Sequence, residues 1–591
     1  MYSDLKNVQI LVALLKKYGV KHIVLSAGTR HTPFVYSVEH DDFFHTYSIV
    51  DERSASFFAI GLIEKLREPV AICCTSGTAA ANYVSAANEA FYQQLPLLIL
   101  TADRNHYYMF QQEEQMIPQE GLYSSVCKKV VTLPHVRDEK DFWYCSRICN
   151  EALLELYNGE LGPVHINFIV ENDYPIVQGI VKFETAKLPD IKKINKLTLE
   201  DDEKEWKKWA SKLRGKKVLI IYGQYCPITK EEIDAINCFA DRYDCVISVD
   251  MLSNLHVKKG VYTFNLGKVL TKEELANFVP DILITMNANS MSEIKGRMGA
   301  FKTQFEHWHV SAKGEVSDPY KMLSDTIMCS PKIFFKRFAD LAQATETTDS
   351  YYEQWKNAAE KIGVKGNLND EVIPYSAVYA TQQFIKNIPQ NSLLHLANSN
   401  SVRLANFFKV HESVNVYGNR GAHGIDGSMS AFVGQASASE ELCFLLIGDL
   451  SFFYDMNALW NQYIGNNIRI MVCNNSGGAI FHTYPNLTNV PSLDEHIAAE
   501  HHTSVKGWVE ARGFTYMKAT SKEEITKQMP AFVAADSEKP ILMEVFTDKE
   551  EDSKGQYYVI REYLASSNSL KHKVGKMMPE GLKSTLKNII K

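Results

Sequence analysis

Short β-branched or apolar runs recur along the chain, each followed by a stretch with apolar residues at helical spacing. HIVLS (22–26), PVAICC (69–74) and PLLILTA (96–102) open the series, and GPVHINF (162–168) continues it. Strands that alternate with helices predict parallel, doubly wound sheets, because joining parallel strands takes a crossover long enough to hold a helix. A segment rich in Lys, Asp and Glu (186–212) ends this block. KKVLIIYG (216–223), DCVISVD (244–250), DILITM (281–286) and HWHVSA (307–312) then repeat the alternation. The polar stretch QATETTDSYYEQ (343–354) makes a second break, beyond which LLHLANSNSVR, LCFLLIGDL and IRIMVCNN supply buried strands. The pattern predicts an α/β protein of three doubly wound parallel-sheet domains, over 1–185, 186–345 and 346–591.

Composition narrows the class. The 591 residues exclude a peptide hormone or small module and correspond to roughly three to five domains. Lys plus Arg is 63 against 70 for Asp plus Glu, a net charge of −7, so no basic field points to nucleic acid or an anionic membrane, and a small-molecule partner is expected. Eleven cysteines form no CxxC pair or metal-type Cys/His cluster; Cys73, Cys74 and Cys473 lie in apolar runs and read as buried reduced thiols. The N-terminal stretch lacks a charge-then-apolar signal block. The longest apolar stretches, 95–102 and 442–448, fall far short of the ~20 residues that span a bilayer. The expectation is a cytoplasmic protein with no integral membrane segment. The end of the chain, 571–591, carries six lysines against one glutamate and reads as a solvated terminal helix, with a membrane-surface helix as the alternative.

The candidate chemistry concentrates in the third block. LCFLLIG runs into Asp449, and 26 positions later (475 − 449) IRIMVC has run into Asn474-Asn475. Ligands of open parallel sheets bind at strand C-termini, and a carboxylate with an amide oxygen suits a hard Mg²⁺ (or Mn²⁺) ion bridging phosphate oxygens. Backbone at Gly448, Ser451, Gly477 and Gly478 can approach a diphosphate closely; ordinary turn residues at two strand ends are the alternative. In the first block HTYSIV ends in Asp51-Glu52-Arg53, where a carboxylate commonly caps a helix. The small-residue loop from Thr75 through Gly77 to Asn82 follows a strand and opens a helix.

The GD and NN spacing resembles the thiamine diphosphate signature, usually GDG then NN, with Leu450 at the third position. In thiamine chemistry a carboxylate such as Glu52, bonded to N1′ of the aminopyrimidine, favours the imino form whose N4′ takes the proton from thiazolium C2. SAGTRHTP, DERSASFFAIGL, TSGTAAANY, LTADR, NSNSVR, GNRGAHGIDG, GDLSFFYDMNAL and NNSGGAIF together resemble the 2-succinyl-5-enolpyruvyl-6-hydroxy-3-cyclohexene-1-carboxylate (SEPHCHC) synthases of menaquinone biosynthesis. The resemblance spans essentially the whole chain.

The resemblance implies thiamine diphosphate- and Mg²⁺-dependent decarboxylation of 2-oxoglutarate and 1,4-addition of the succinyl-semialdehyde carbanion to isochorismate. It implies Glu52 as the cofactor-activating carboxylate, Asp449, Asn475 and the Gly477 carbonyl as the metal site, and Ile425 as the apolar prop of a bent cofactor. Thr75, Gly77, Gly448, Ser451 and Gly478 would line the cofactor. Ser399, Arg403 and Arg420 match positions near 2-oxoglutarate; Arg30, Arg104 and Gln115 match the acceptor side, with Ile480 and Phe481 walling the pocket. Forked guanidinium groups suit dicarboxylates, although a structural ion pair is the alternative for each arginine.

The chain departs from the family pattern at NANSMSEIK (287–295), where Glu293 stands at a usual lysine's place with Lys295 two residues on, and at His423, which replaces a small residue. These departures leave a related carboligase with another 2-oxo acid or acceptor as the alternative. KVLIIYGQYCP offers only Gly223 and no GxGxxG, so FAD is not expected. The family places its cofactor between domains of two subunits, which implies a homodimer or homotetramer.

Overall fold

The computed structural model describes residues 1–171, 187–194, 203–225, 228–312, 317–321, 323–342, 349–362, 368–484, 486–487 and 490–564. The expected boundary at 185, the first half of the break at 343–354 and the basic terminal stretch lie outside the described residues.

Three six-stranded sheets appear, and every strand pairing within them is parallel. The first holds β1 (His22–Leu25), β2 (His45–Ser48), β3 (Val70–Cys74), β4 (Leu97–Asp103), β5 (Val130–Leu133) and β6 (Val164–Ile169), in the order β2-β1-β3-β4-β6-β5. The second holds β7 (Val218–Tyr222), β8 (Cys245–Val249), β9 (Gly260–Tyr262), β10 (Ile282–Met286), β11 (Glu306–Ser311) and β12 (Leu323–Met328), ordered β12-β11-β10-β7-β8-β9. The third holds β13 (Leu393–Leu396), β14 (Asn415–Tyr417), β15 (Cys443–Gly448), β16 (Ile468–Asn474), β17 (Thr515–Ala519) and β18 (Ile541–Phe546), ordered β14-β13-β15-β16-β18-β17. The first and third sheets thus share one winding, 2-1-3-4-6-5.

Interior strands such as VAICC of β3 and VLIIY of β7 are buried at every position, because helices cover both faces of a parallel sheet. Register aligns the strand ends: Leu25 pairs with Cys73, Cys74 with Thr101, and Gly448 with Cys473. Polar residues following these strands therefore collect along one edge of each sheet.

The chain divides into two compact units. One combines Met1–Glu200 with Asn419–Glu440 and Asp455–Ile464; the other combines Asp201–Gly418 with Glu441–Tyr454 and Gly465–Lys591. In the first, the helix Glu52–Leu66 crosses the helix Ser428–Ser437 at backbone contact. A methyl group at Gly61 would lie 1.9 Å from the Ala431 carbonyl oxygen, and one at Gly434 would lie 2.1 Å from that of Phe58. Gln435 Nε2 donates to the buried Glu64 carboxylate across the same crossing. Cys73, Cys74 and Cys473 are buried free thiols. Among the described residues no helix is long and apolar enough to cross a membrane.

Candidate active site

The first unit gathers its candidate residues at the C-terminal ends of successive strands. Glu52 follows β2 as the first residue of its helix. Asp51 does the capping, accepting from Ser54 N at 2.8 Å, so the Glu52 carboxylate is not used as the cap. Glu52 is half-buried, and desolvation is the main cause raising its pKa, with the neighbouring Asp51 charge acting the same way.

After β1, Arg30 N donates to Thr75 Oγ1 (3.2 Å), and its buried guanidinium donates through Nη1 to the carbonyls of Val170 (3.1 Å) and Glu171 (3.3 Å). After β3, Gly77 has φ +88°, a conformation that favours glycine, and its N donates to Gln119 Oε1 at 2.8 Å. A methyl group there would meet Gln115 Cα at 3.2 Å, so the exposed Gln115, itself at φ +56°, leans on this turn. After β4, Arg104 pairs with Glu113, Nη1 to Oε2 at 2.8 Å. Burial first, then the Arg104 charge, lowers the Arg30 pKa, with Asp103 and Glu113 opposing. Arg30 and Arg104 are therefore electrostatic neighbours.

Arg420 is buried in the same unit, in a loop tied down by Glu89, whose Oε1 and Oε2 accept from Gly421 N (2.9 Å) and Ala422 N (2.7 Å). Burial raises the Glu89 pKa, and these hydrogen bonds, Gln93 and the Arg420 charge pull it back. Ile425 is half-buried two positions before Gly427, and a methyl group at Gly427 would strike the Phe57 ring at 2.2 Å. His423 is exposed with φ +63°.

The second unit brings together the remaining candidates at the C-terminal edge of the third sheet. Ser399 follows β13 with φ +71°, and Arg403 Nη1 donates back to its carbonyl at 2.8 Å. Asp449 is buried after β15; its Oδ1 accepts from Leu450 N (2.7 Å), and its Oδ2 from Asn475 N (3.1 Å) and Gly477 N (3.0 Å). His501 Nε2 stands 3.3 Å from the same Oδ2. Ser451 is buried, and the space a side chain would take at Gly448 is open. Gly477 has φ +141°, and a methyl group there would lie 2.7 Å from the Ala498 carbonyl oxygen. Gly478 N donates to that same oxygen at 2.7 Å, Ile480 is buried, and Phe481 is half-buried with its ring 2.9 Å from where a Gly478 Cβ would stand.

The Asn475 carboxamide oxygen is buried with no hydrogen-bond partner. A buried acceptor costs free energy unless something satisfies it. Among the described residues no group of three or more His, Cys, Asp and Glu side chains has metal-site geometry. A buried carboxylate and an unpartnered amide oxygen at these neighbouring strand ends suit a hard cation completed by a ligand's own oxygens rather than a closed protein cage.

Residues 5–122 match the family described as thiamine pyrophosphate enzyme, N-terminal TPP binding domain. The 2-succinyl-5-enolpyruvyl-6-hydroxy-3-cyclohexene-1-carboxylate synthase of Phocaeicola vulgatus is 39% identical over 569 residues, 95% of this chain and 98% of the relative. The chain belongs to the SEPHCHC synthase family. A Bacteroides thetaiotaomicron synthase is 37% identical over 95% of this chain and 99% of the relative. Benzoylformate decarboxylase from Polynucleobacter necessarius shares the fold, with TM-score 0.68 at 15% identity over 93% of this chain and 99% of that one.

Within this SEPHCHC synthase fold, the departure at Glu293 is locally compensated, because its carboxylate forms an ion pair with Lys268. Lys295 donates to Asn289 Oδ1 at 3.1 Å, and burial lowers its pKa. Sequence reasoning missed Glu89, Glu113 and Asp552. Asp552 Oδ2 accepts from Asn475 Nδ2 at 2.7 Å across 77 positions of sequence, and Glu89 reaches Gly421 across 332. No local motif marks such pairs.

Proposed function

We propose that this thiamine diphosphate-dependent enzyme decarboxylates 2-oxoglutarate and transfers the resulting succinyl semialdehyde unit to isochorismate in a 1,4-addition. The observation that carries the substrates is the 39% identity extending across 98% of a curated SEPHCHC synthase. Bound thiamine diphosphate supplies the nucleophilic carbon and the electron sink for decarboxylation.

The chain's own residues bind, orient and manage protons. Glu52 holds a proton at N1′ of the pyrimidine, and its pKa, raised by burial, suits a group that must share that proton rather than stay fully ionised. Asp449, Asn475 Oδ1 and the Gly477 carbonyl hold Mg²⁺, and the unpartnered Asn475 oxygen supports that assignment. Backbone at Gly448, Ser451 and Gly478 would take the diphosphate, Thr75 and Gly77 would line the pyrimidine end, and Ile425 would pack as an apolar support against the cofactor. Arg403, Arg420 and Ser399 orient the 2-oxoglutarate carboxylates. Arg30, Arg104 and Gln115 take the acceptor, and Ile480 with Phe481 excludes water. The domain reading at 1–185, 186–345 and 346–591, a homodimer or homotetramer, and a cytoplasmic setting belong to the same proposal.

The test follows isochorismate absorbance with purified enzyme, thiamine diphosphate, Mg²⁺ and 2-oxoglutarate, each component omitted in turn. Consumption that requires every component is the expected result. Decarboxylation of 2-oxoglutarate with isochorismate left intact would overturn the acceptor and make the enzyme a carboligase for another anion.

A further inference from the structure

Two asparagines stand side by side where β16 ends, and each donates its amide nitrogen to a buried carboxylate. Asn474 Nδ2 donates to Glu544 Oε1 of β18 at 2.7 Å, and Asn475 Nδ2 donates to Asp552 Oδ2 at 2.7 Å. Asp552 is 1% exposed, and both its oxygens are occupied. Oδ1 accepts from Ala377 N at 2.6 Å, and Oδ2 accepts also from Thr547 Oγ1 at 3.0 Å. The two ends of a carboxamide are nearly equal in size, so shape alone does not fix which end faces a ligand. An acceptor-only carboxylate does: it holds the NH₂ end and turns Oδ1 away, to the place where that oxygen is buried without a partner.

We infer that Asp552 is a positioning residue for the metal site, fixing the oxygen end of Asn475 toward the cation. The inference rests on the proposed metal site. Ligands to a metal are commonly oriented by such outer partners, whose loss typically weakens metal affinity about 10- to 100-fold. Glu544 has no such role, because Asn474 also donates to the Thr503 carbonyl (3.0 Å) and accepts from Ser476 N (3.2 Å), leaving its carboxamide spent on local structure.

Asp552→Asn must create a clash of donors. If the new oxygen faces Ala377 N, the new NH₂ meets Asn475 Nδ2 and flips that amide; the opposite rotamer sets NH₂ against Ala377 N. The experiment titrates Mn²⁺ into enzyme saturated with thiamine diphosphate and reads the free aquo-Mn²⁺ signal by electron paramagnetic resonance, alongside Tm. The unsubstituted enzyme is expected to retain Mn²⁺, and Asp552→Asn to weaken retention about 10-fold or more. Glu544→Gln removes the same charge from the neighbouring clamp and is expected to lower Tm while moving Mn²⁺ affinity less than about 3-fold. The pair Asp552→Asn with Asn475→Asp swaps donor for acceptor and is expected to recover most of the loss.

An affinity in Asp552→Asn within about 3-fold of the parent, an equal loss in Glu544→Gln, or a folded swap variant that stays as weak would each overturn the inference. Should Asp552→Asn fail to fold, the swap variant decides. Failure of the parent to retain Mn²⁺ would overturn the metal reading itself, and this inference with it.

Discussion

At position 52 a carboxylate heads a helix that its neighbour caps. Because Asp51 satisfies the first-turn N–H of Ser54, the Glu52 carboxylate does not serve as the cap, and its pKa is raised by burial. Glu52→Gln keeps the size but cannot exchange a proton, so kcat is expected to fall about 10²- to 10⁴-fold, with proton exchange at thiazolium C2 lost. Thiamine diphosphate affinity, read by calorimetry, should change little; normal C2 exchange in this variant would contradict the role. Arg104 presents a second residue-scale test. Its guanidinium is already paired with the Glu113 carboxylate, so an anionic acceptor bound there, as proposed, would compete with an internal carboxylate. Even if this part-buried pair is worth only about 1 kcal/mol, the upper end for exposed pairs, Glu113→Gln is expected to lower KM for the acceptor roughly 2- to 5-fold and leave KM for the 2-oxo acid unchanged. What the sequence made legible at this scale was position: Glu52, Asp449 and Asn475 lie inside contiguous motifs and stand at strand ends or helix starts as expected. Glu113, Glu89 and Asp552 were not legible, because each acts through a partner that only folding brings near.

Among elements, the crossing of Glu52–Leu66 with Ser428–Ser437 governs where Glu52 sits. At Gly434 the neighbour is backbone, which cannot swing aside as a side chain would. Gly434→Ala is expected to cost about 1–3 kcal/mol or more, seen as a lowered Tm, with activity lost in parallel; an unchanged Tm would show that the crossing gives way. Strands separate by position in their sheets. Buried interior strands announced themselves as unbroken apolar runs, as in β3, β7 and β15. The edge strands β5, β9, β12, β14 and β17 gave no such run, since an edge is partly solvated; LSDTIM of β12 has a single buried residue. β18 is interior, but Glu544 breaks its run, and the fold tolerates that carboxylate because Asn474, Ser504, Val505 and Tyr516 all donate to it.

For the molecule as a whole, buried acids set how stability depends on pH. Burial pushes Asp455 up to about 7, opposed by hydrogen bonds from Ser430 and the Arg53 charge and reinforced by Asp51; Asp103 is pushed up to about 6 in the same way. Each stays protonated in the folded protein at a pH where the unfolded chain has ionised it, so its contribution is present below about pH 4 and is lost as pH rises toward 7. Asp455→Asn keeps the shape without the charge, and its Tm gain over the parent is expected to be larger at pH 8 than at pH 5 by about 2 °C or more. A gain independent of pH would mean that Asp455 is ionised throughout.

The discontinuous make-up of the first unit also bears on how the protein is made. Its Met1–Glu200 portion lacks the pieces Asn419–Glu440 and Asp455–Ile464. At about 5–20 residues per second, the ribosome needs another 264 residues (464 − 200) before the last piece exists, a delay on the order of 10–50 s. Until residue 437 is made, the glycine-notched face of Glu52–Leu66 lacks the helix Ser428–Ser437 that covers it. The nascent chain therefore carries that face of the Glu52 helix uncovered for most of this interval, and chaperone demand is expected to fall once residues 419–464 have emerged.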